Sequence, residues 1–165
     1  GVGSGVISIE LAKRFPQLNF HAWDISDIAI KVTKENMALQ SVSNIQLSHG
    51  DFFDLFHSKV TESPIILISN PPYISALDYE NLSTQVLKEP KEALLAEDYG
   101  LRVIDQLIQV AKNYNFILLS EIGYDQKQRL ERAWIDLPLQ FKLDFAGKYR
   151  YLIYFSDNHA QQYNL

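Results

Sequence analysis

The sequence has no cysteine among its 165 residues, which excludes disulfide bonds and thiolate metal sites. This is compatible with a reducing compartment, and we expect a cytoplasmic protein without a membrane partner. No apolar run is long enough to span a bilayer. Positive charge is not in excess either, since the net charge is -5. A domain that grips a nucleic-acid backbone by itself is usually basic, so direct nucleic-acid binding is disfavoured.

Several catalytic signatures are also missing. The four histidines, at positions 21, 49, 57 and 159, show no spacing typical of metal ligands. The sequence contains neither a Gly-x-Ser-x-Gly nucleophile elbow nor a phosphate-binding loop that ends in lysine. No metal site is predicted, and the sequence offers no strong candidate for these classes of catalysis.

The residues that are present suit one globular domain, with 47% hydrophobic and 12% aromatic content. No repeat or linker divides the chain. We assign residues 1–156 to a single domain and residues 157–165 to a polar tail. A polar loop is expected at residues 58–63.

Hydrophobic spacing predicts helices that alternate with strands. The predicted helices cover 6–15, 28–39, 100–114 and 125–134, and the predicted strands cover 19–24, 45–49, 65–69, 116–122, 139–145 and 149–155. Such alternation predicts an α/β fold with a mostly parallel sheet and helices on both faces. The last two strands are so closely joined that they must form an antiparallel hairpin.

Four finer predictions concern single residues and one segment. Asp98 and Asp125 are expected to cap the helices that follow them. In the helix at 28–39 the expected inward residues are Ile28, Val32, Met37 and Leu39. The long connection at 74–95 shows few periodic cues and is predicted to be a substrate loop or lid.

The chain opens with Gly1-Val2-Gly3-Ser4-Gly5 before a helix, a turn that lets a ligand approach the backbone. The alternative is a plain tight turn. Asp24 follows at the end of a strand, where α/β cofactor folds place a carboxylate on ribose hydroxyls. The alternative is that Asp24 caps the next helix. Asp51 and Phe52 follow the next strand, and a carboxylate with an aromatic ring suits adenine. Phe52 is equally interpretable as a core residue.

The rest of the chain is organised around residues 65–73, which read Ile-Ile-Leu-Ile-Ser-Asn-Pro-Pro-Tyr. The apolar half predicts a buried strand. Two consecutive prolines cannot continue a central strand, so the strand ends at Asn70. Asn70 to Tyr73 must then lie just beyond its carboxyl end, where ligands bind in open α/β sheets.

In this order the motifs resemble those of S-adenosylmethionine-dependent class I methyltransferases. The resemblance rests on Gly1-x-Gly3-x-Gly5, Asp24, Gly50-Asp51 and Asn70-Pro71-Pro72-Tyr73. Further elements resemble the HemK/PrmC family in particular: Glu89-Pro90-x-x-Ala93-Leu94, Gly100-Leu101, Glu121-Ile122-Gly123 with Gln126, and Asp144-x-x-Gly147-x-x-Arg150. The resemblance extends from residue 1 to about residue 155.

This family methylates the glutamine of the Gly-Gly-Gln motif in peptide chain release factors. The resemblance therefore implies a Rossmann-like fold, S-adenosylmethionine as cofactor and S-adenosylhomocysteine as product. It implies a release factor as partner, with nucleic acid involved only indirectly. The implied cofactor-binding residues are Gly1, Gly3, Gly5, Asp24, Asp51, Phe52 and Asn70.

The resemblance places the reaction at the strand end. The Asn70 side-chain oxygen and the Pro71 carbonyl are hydrogen-bond acceptors for the two N–H groups of a substrate amide. Pro72 stiffens the segment and Tyr73 is expected to lie against the flat face of the amide. Asn70, Pro71 and Tyr73 are thus the predicted catalytic residues, and all four residues contact substrate. Glu89 and Glu121 are interpreted as structural, and Arg150 with Asp144 as a brace for the hairpin.

The family also has a strand ahead of Gly1 and a small helical domain further upstream. The missing strand would be central in the sheet, so we expect this sequence to be an N-terminally truncated piece. Two alternatives to the release-factor function remain. One is methylation of an adenine or guanine amino group in DNA or RNA, and the other is a non-catalytic fragment that binds cofactor or a partner.

Overall fold

The computed structural model describes residues 1–56 and 65–156, and the chain forms two compact units, residues 1–61 and 62–165. The predicted polar loop at 58–63 and the predicted tail at 157–165 lie outside the described residues. Eight α-helical segments are assigned in the described part of the chain: α1 (Val6–Arg14), α2 (Asp27–Leu39), α3 (Phe52–Leu55), α4 (Ala76–Tyr79), α5 (Lys91–Leu94), α6 (Glu97–Gly100), α7 (Arg102–Tyr114) and α8 (Lys127–Ala133). Of these, α6 is a single turn whose backbone is left-handed from Asp98 to Gly100. The strands described there are β1 (Phe20–Asp24), β2 (Ile45–His49), β3 (Ile66–Ser69), β4 (Ile117–Glu121), β5 (Gln140–Leu143) and β6 (Tyr149–Tyr154).

In the first unit, β1 and β2 form a parallel pair in which Asp24 is opposite His49. Helices α1 and α2 both pack on this pair. The hydrophobic core of the first unit contains Ile9, Ala12, Ala22 and Ile45. Because the two strands are parallel, their carboxyl ends lie at the same edge.

The second unit has a four-stranded sheet in the order β3-β4-β6-β5. β3 and β4 are parallel, whereas β6 is antiparallel to both β4 and β5. The predicted closing hairpin is therefore confirmed. Its final strand lies between β4 and β5, so β4 is an interior strand.

Helix α7 carries the main core of this unit. Its buried residues recur at helical spacing on one face: Leu101 just before the helix, and then Ile104, Leu107, Ile108 and Ala111. They pack with β4, in which Leu118 is fully buried. Burying side chains of this size contributes roughly 1.5–3 kcal/mol each, which makes α7 and β4 the stable base for the residues at the strand ends.

Three predictions about burial and caps are wrong. In β3, the side chains of Ile66 and Ile68 are 57% and 38% exposed. β3 is an edge strand of its sheet, and one of its faces lacks cover in this structure. Asp98 and Asp125 do not cap helices, because α7 and α8 begin after Leu101 and Gln126 without a side-chain cap.

Helix α2 and the connection at 74–95 also differ from expectation. Ile28 and Leu39 are exposed, and the fully or nearly fully buried residues of α2 are Ile30 and Thr33. The connection contains α4, α5 and a short 3-10 helix at Val86–Lys88, so it has regular structure. Its ends are joined by a bridge in which the Ile74 N–H donates to the Leu94 carbonyl at 2.9 Å.

Candidate functional site

A glycine turn leads into α1 in the first unit. Gly3 (φ +58°) and Gly5 (φ +84°) both have left-handed backbone, and Gly5 immediately precedes α1. A Cβ atom on Gly5 would lie 2.8 Å from Cγ2 of Thr33, whereas Gly1 and Gly3 have open space at that position. Packing therefore requires glycine at position 5, and the backbone at positions 1 and 3 is open to a ligand.

Helix α2 stabilises this glycine turn through two side-chain hydrogen bonds. The Thr33 hydroxyl donates to the Gly3 carbonyl at 2.9 Å, and the Asn36 side-chain amide donates to the Ser4 carbonyl at 2.8 Å. Thr33 is completely buried. These two bonds fix the carbonyls of the turn, so its N–H groups have a defined direction.

Asp24 lies at the end of β1 and is only 7% exposed. Its two carboxylate oxygens accept from the Gly3 N–H and the Ser26 N–H, both at 2.9 Å. The cap of α2 is Ser26, whose hydroxyl accepts from Ala29. Asp24 thus ties the glycine turn to the strand end. An ionised carboxylate has about four acceptor positions, so two remain for a ligand.

Asp51 lies just beyond the end of β2, at the same edge as Asp24. The Gly50 N–H donates to the Asp24 backbone carbonyl at 2.9 Å, which joins the two strand ends. The exposed Asp51 caps α3 by accepting from the Phe53 N–H at 2.8 Å. One of its oxygens is used in this way, and the other is available for a ligand.

Phe52 is half-buried and belongs to an aromatic cluster. Its ring lies edge-on to Trp23 at 5.3 Å between centroids and stacks on Phe56 at 5.1 Å. This packing supports the core interpretation of Phe52. Contact between its exposed part and an adenine ring stays a prediction.

Asn70 and Pro71 follow β3 in the second unit, as predicted. The Asn70 side chain is exposed, and Pro71 is buried. Neither the Asn70 side chain nor the Pro71 carbonyl takes part in a hydrogen bond with any residue that the structure describes. Two hydrogen-bond acceptors without a partner among the described residues therefore lie on consecutive residues at the end of β3.

Tyr73 is half-buried and held through its hydroxyl, which donates to Glu121 Oε1 at 3.0 Å. Glu121 is the last residue of β4, the parallel neighbour of β3. Burial raises the pKa of the Tyr73 hydroxyl, and the negative charge of Glu121 raises it further, while Arg150 opposes the rise. Tyr73 is therefore a neutral hydrogen-bond donor at physiological pH.

The backbone of Tyr73 is held as well. Its carbonyl accepts from the Gln126 side-chain amide at 3.0 Å. The same carbonyl would lie 2.1 Å from a Cβ atom at Gly100, so only glycine allows this approach. The segment that carries Asn70 and Pro71 is thus held in place at Tyr73, directly after Pro72.

Asp144 and Arg150 lie in the hairpin, and their pairing agrees with the predicted brace. Arg150 Nε is 3.5 Å from Asp144 Oδ2, and Asp144 Oδ1 accepts from the N–H groups of Ala146 and Lys148. The bond from the Lys148 N–H, followed by those from Ala146 and Arg150, lowers the pKa of Asp144 below its ordinary value. Arg150 is also close enough to Tyr73 to lower the pKa of its hydroxyl, so it lies near both the hairpin turn and Tyr73.

This lowered pKa predicts an acid-sensitive hairpin. The contribution of Asp144 to stability is complete above its ordinary pKa and is lost as the pH falls through the lower, folded-state value. We expect the difference in free energy of unfolding between wild type and Asp144→Asn to shrink from about pH 6 to about pH 3 in urea titrations. Asp136→Asn, at an exposed site, is the control, and an equal pH dependence in both variants would contradict the assignment.

Across residues 1–56 and 65–156, no three His, Cys, Asp or Glu side chains group so that they could hold a metal ion. Among the same residues, no helix combines the length and apolar character that crossing a bilayer requires.

Solved structures establish the fold. The chain superimposes on the catalytic domain of human METTL16 in complex with MAT2A 3'UTR hairpin 1 with a TM-score of 0.68, at 16% identity, covering 94% of this chain and 61% of that one. The N-terminal domain of human METTL16 in complex with S-adenosylhomocysteine gives a TM-score of 0.55 at 18% identity, over 94% and 58% of the two chains. The fold is the Rossmann-like fold of class I methyltransferases, as predicted.

The family is equally clear. Residues 1–123 match the model of the methyltransferase small domain, and the chain belongs to that family. The release factor glutamine methyltransferase of Bacillus cereus is 35% identical over an alignment of 159 residues, and the match covers 91% of this chain and 55% of that protein. The resemblance to the HemK/PrmC family is thereby confirmed. The chain spans about half the length of the curated release factor glutamine methyltransferases it matches.

Proposed function

We propose that the protein transfers a methyl group from S-adenosylmethionine to the side-chain amide nitrogen of the glutamine in the Gly-Gly-Gln motif of peptide chain release factors. Such a substrate would place the protein in the cytoplasm. The observation that carries the proposal is that the Asn70 side chain and the Pro71 carbonyl have no hydrogen-bond partner among the described residues. Similarity to relatives named for this activity supports it.

An amide nitrogen is a poor nucleophile because its lone pair is delocalised into the carbonyl. The Asn70 side-chain oxygen and the Pro71 carbonyl would accept the two N–H groups of the amide and hold the nitrogen in line for attack. The same two oxygens would stabilise the positive charge that develops on the nitrogen. The prolines keep these acceptors in place, since their fixed φ leaves little entropy to lose.

Tyr73 would form one wall of the amide site. Its hydroxyl is tied to Glu121 and its carbonyl to Gln126, so the ring has a defined orientation. After transfer, the proton on the methylated nitrogen is lost to water, and no side chain has to act as a strong base.

The first unit fits the cofactor. Asp24 has two free acceptor positions for ribose hydroxyls, and Asp51 has a free oxygen for the adenine amino group. Gly1 and Gly3 leave room for the cofactor to approach the backbone. When bound, S-adenosylmethionine supplies the electrophilic methyl group.

Thr33→Val should loosen the glycine turn without changing the volume of the side chain. The lost bond to the Gly3 carbonyl is expected to cost about 1 kcal/mol of stability. The Kd for S-adenosylhomocysteine rises about two- to fivefold when half or more of this cost applies to the cofactor-bound state and not to the free state. Calorimetric titration and thermal unfolding measure the two effects. Thr84→Val, at an exposed threonine, is the matched control and should change neither quantity.

The proposed function is tested with the full-length protein, labelled S-adenosylmethionine and three substrates. These are a release factor, the same release factor with its Gly-Gly-Gln glutamine changed to alanine, and mixed DNA and RNA. Label is expected on the unchanged release factor alone. Peptide mapping should then place the methyl group on that glutamine.

Two results would overturn the proposal. Label in nucleic acid alone would indicate an amino-group methyltransferase that acts on adenine or guanine. Cofactor binding without label in any substrate would indicate a non-catalytic protein.

A further inference from the structure

The side-chain amide of Gln126 is buried, and both its nitrogen and its oxygen form hydrogen bonds. The residue is 3% exposed and lies just before α8. Its Nε2 donates to the carbonyls of Tyr73 at 3.0 Å, Gly100 at 3.1 Å and Tyr99 at 3.4 Å. Its Oε1 accepts from the Gly123 N–H at 2.8 Å. One side chain therefore joins three separate backbone segments of the second unit.

One of these segments has an uncommon conformation. Asp98, Tyr99 and Gly100 are consecutive left-handed residues, with φ of +54°, +56° and +80°. Left-handed backbone is strained for a residue with a side chain, and such strain persists only where the surroundings enforce it. The Gln126 amide binds two carbonyls of this turn and so stabilises it.

The strained turn at residues 98–100 lies against Tyr73, which follows the Asn70 and Pro71 acceptors in the chain. Gly100 approaches the Tyr73 carbonyl so closely that a Cβ would be 2.1 Å from it. The ladder between β3 and β4 ends with Ser69 opposite Ser120, and the next described anchors are those at Tyr73 and Ile74. The direction of Asn70 and Pro71 therefore depends on how the chain is held at Tyr73.

We propose that Gln126 is a positioning residue for methyl transfer: by fixing the Tyr73 peptide against the strained turn at 98–100, its amide orients the Asn70 and Pro71 acceptors. This inference rests on the proposed function. Gln126 does not touch the substrate. It acts through Tyr73, and its loss is expected to lower kcat rather than weaken cofactor binding.

Two substitutions separate the donor role from the volume of the side chain. Gln126→Glu keeps the size and the acceptor for Gly123 but removes the amide donors. Gln126→Met keeps approximate size and removes both. Gln128→Glu and Gln128→Met, at an exposed glutamine of α8, are the matched controls.

Both variants at position 126 are expected to lower kcat about a hundredfold, since misplacement by about 1 Å can cost that much. The Kd for S-adenosylhomocysteine should stay within about twofold. The ratio of the Gln126→Glu rate to the Gln126→Met rate should rise as the pH falls, because a protonated glutamate regains one donor. If only the volume of the side chain mattered, the two variants would be affected equally at every pH.

A second measurement does not depend on activity. With 3-fluorotyrosine placed at position 73 in the full-length protein, fluorine NMR reports on the surroundings of the Tyr73 ring. We expect both variants at position 126 to shift or split this resonance, and the controls at position 128 to leave it unchanged.

The outcomes distinguish the two proposals. An unmoved resonance and an unchanged kcat in both variants would overturn the role of Gln126 while the function stands. A shifted resonance in both variants at position 126, together with a wild-type protein that labels no release factor, would support the control of Tyr73 by Gln126 and overturn the function.

Discussion

Asn70→Ala is expected to lower kcat for amide methylation by about a hundredfold or more, which is the typical loss when one preorganised polar contact to a developing charge is removed. The exposed Asn70 side chain has no hydrogen-bond partner among the described residues, so its removal should leave the fold unchanged. Single-turnover rates with labelled S-adenosylmethionine measure the effect on the chemical step.

Cofactor binding provides the control for this substitution. The Kd for S-adenosylhomocysteine should change little, because the predicted ribose and adenine contacts belong to Asp24 and Asp51. Asn19→Ala, at an exposed asparagine before β1, should match wild type in both assays. A large loss of cofactor affinity in Asn70→Ala would mean that Asn70 is mainly a cofactor residue.

Gly100→Ala should be the most damaging small substitution in the second unit. The new methyl group would meet the Tyr73 carbonyl at 2.1 Å and the Gln126 amide at 2.7 Å. Left-handed strain of about 1–2 kcal/mol adds to an overpacking cost of about 1–3 kcal/mol, for a total of about 2–5 kcal/mol. Because the collision moves Tyr73, methyl transfer should fall with stability. Urea unfolding and initial rates measure the two losses.

Gly147→Ala is the matched control for Gly100→Ala. Gly147 also has a left-handed backbone, with φ of +74°, but nothing lies within 4 Å of its added Cβ. It should cost only the strain of about 1–2 kcal/mol and leave the methylation rate intact. Equal losses in the two variants would show that strain, and not contact with Tyr73, explains the effect at position 100.

The sequence predicted the strands well because short apolar runs that end in glycine, proline or aspartate leave few alternatives. The β2 prediction matches its residues from Ile45 to His49, and β3 ends at Ser69, just before Asn70. The resemblance to a known family added the order of the motifs and the assignment of Asn70 and Pro71. What these two residues do chemically remains a prediction.

Other features depend on partners that are distant in sequence. Thr33 is polar and was not predicted to face inward, yet it is fully buried because it bonds to Gly3, thirty residues away. Gln126 matched a family motif, but its three carbonyl partners at 73, 99 and 100 become evident only in the fold. Asp98 has the residue type of a cap, yet it adopts left-handed backbone in the strained turn.

The position of β6 has a consequence for folding during translation. β6 is the last strand in the described chain, but it pairs with β4 in the interior of the sheet. During synthesis, β4 therefore leaves the ribosome with an unpaired apolar edge, which is a template for aggregation until the hairpin arrives. Arg150, which faces the Tyr73–Glu121 pair, arrives with the same strand. The proposed amide site can thus be completed only after nearly all of this sequence has been translated.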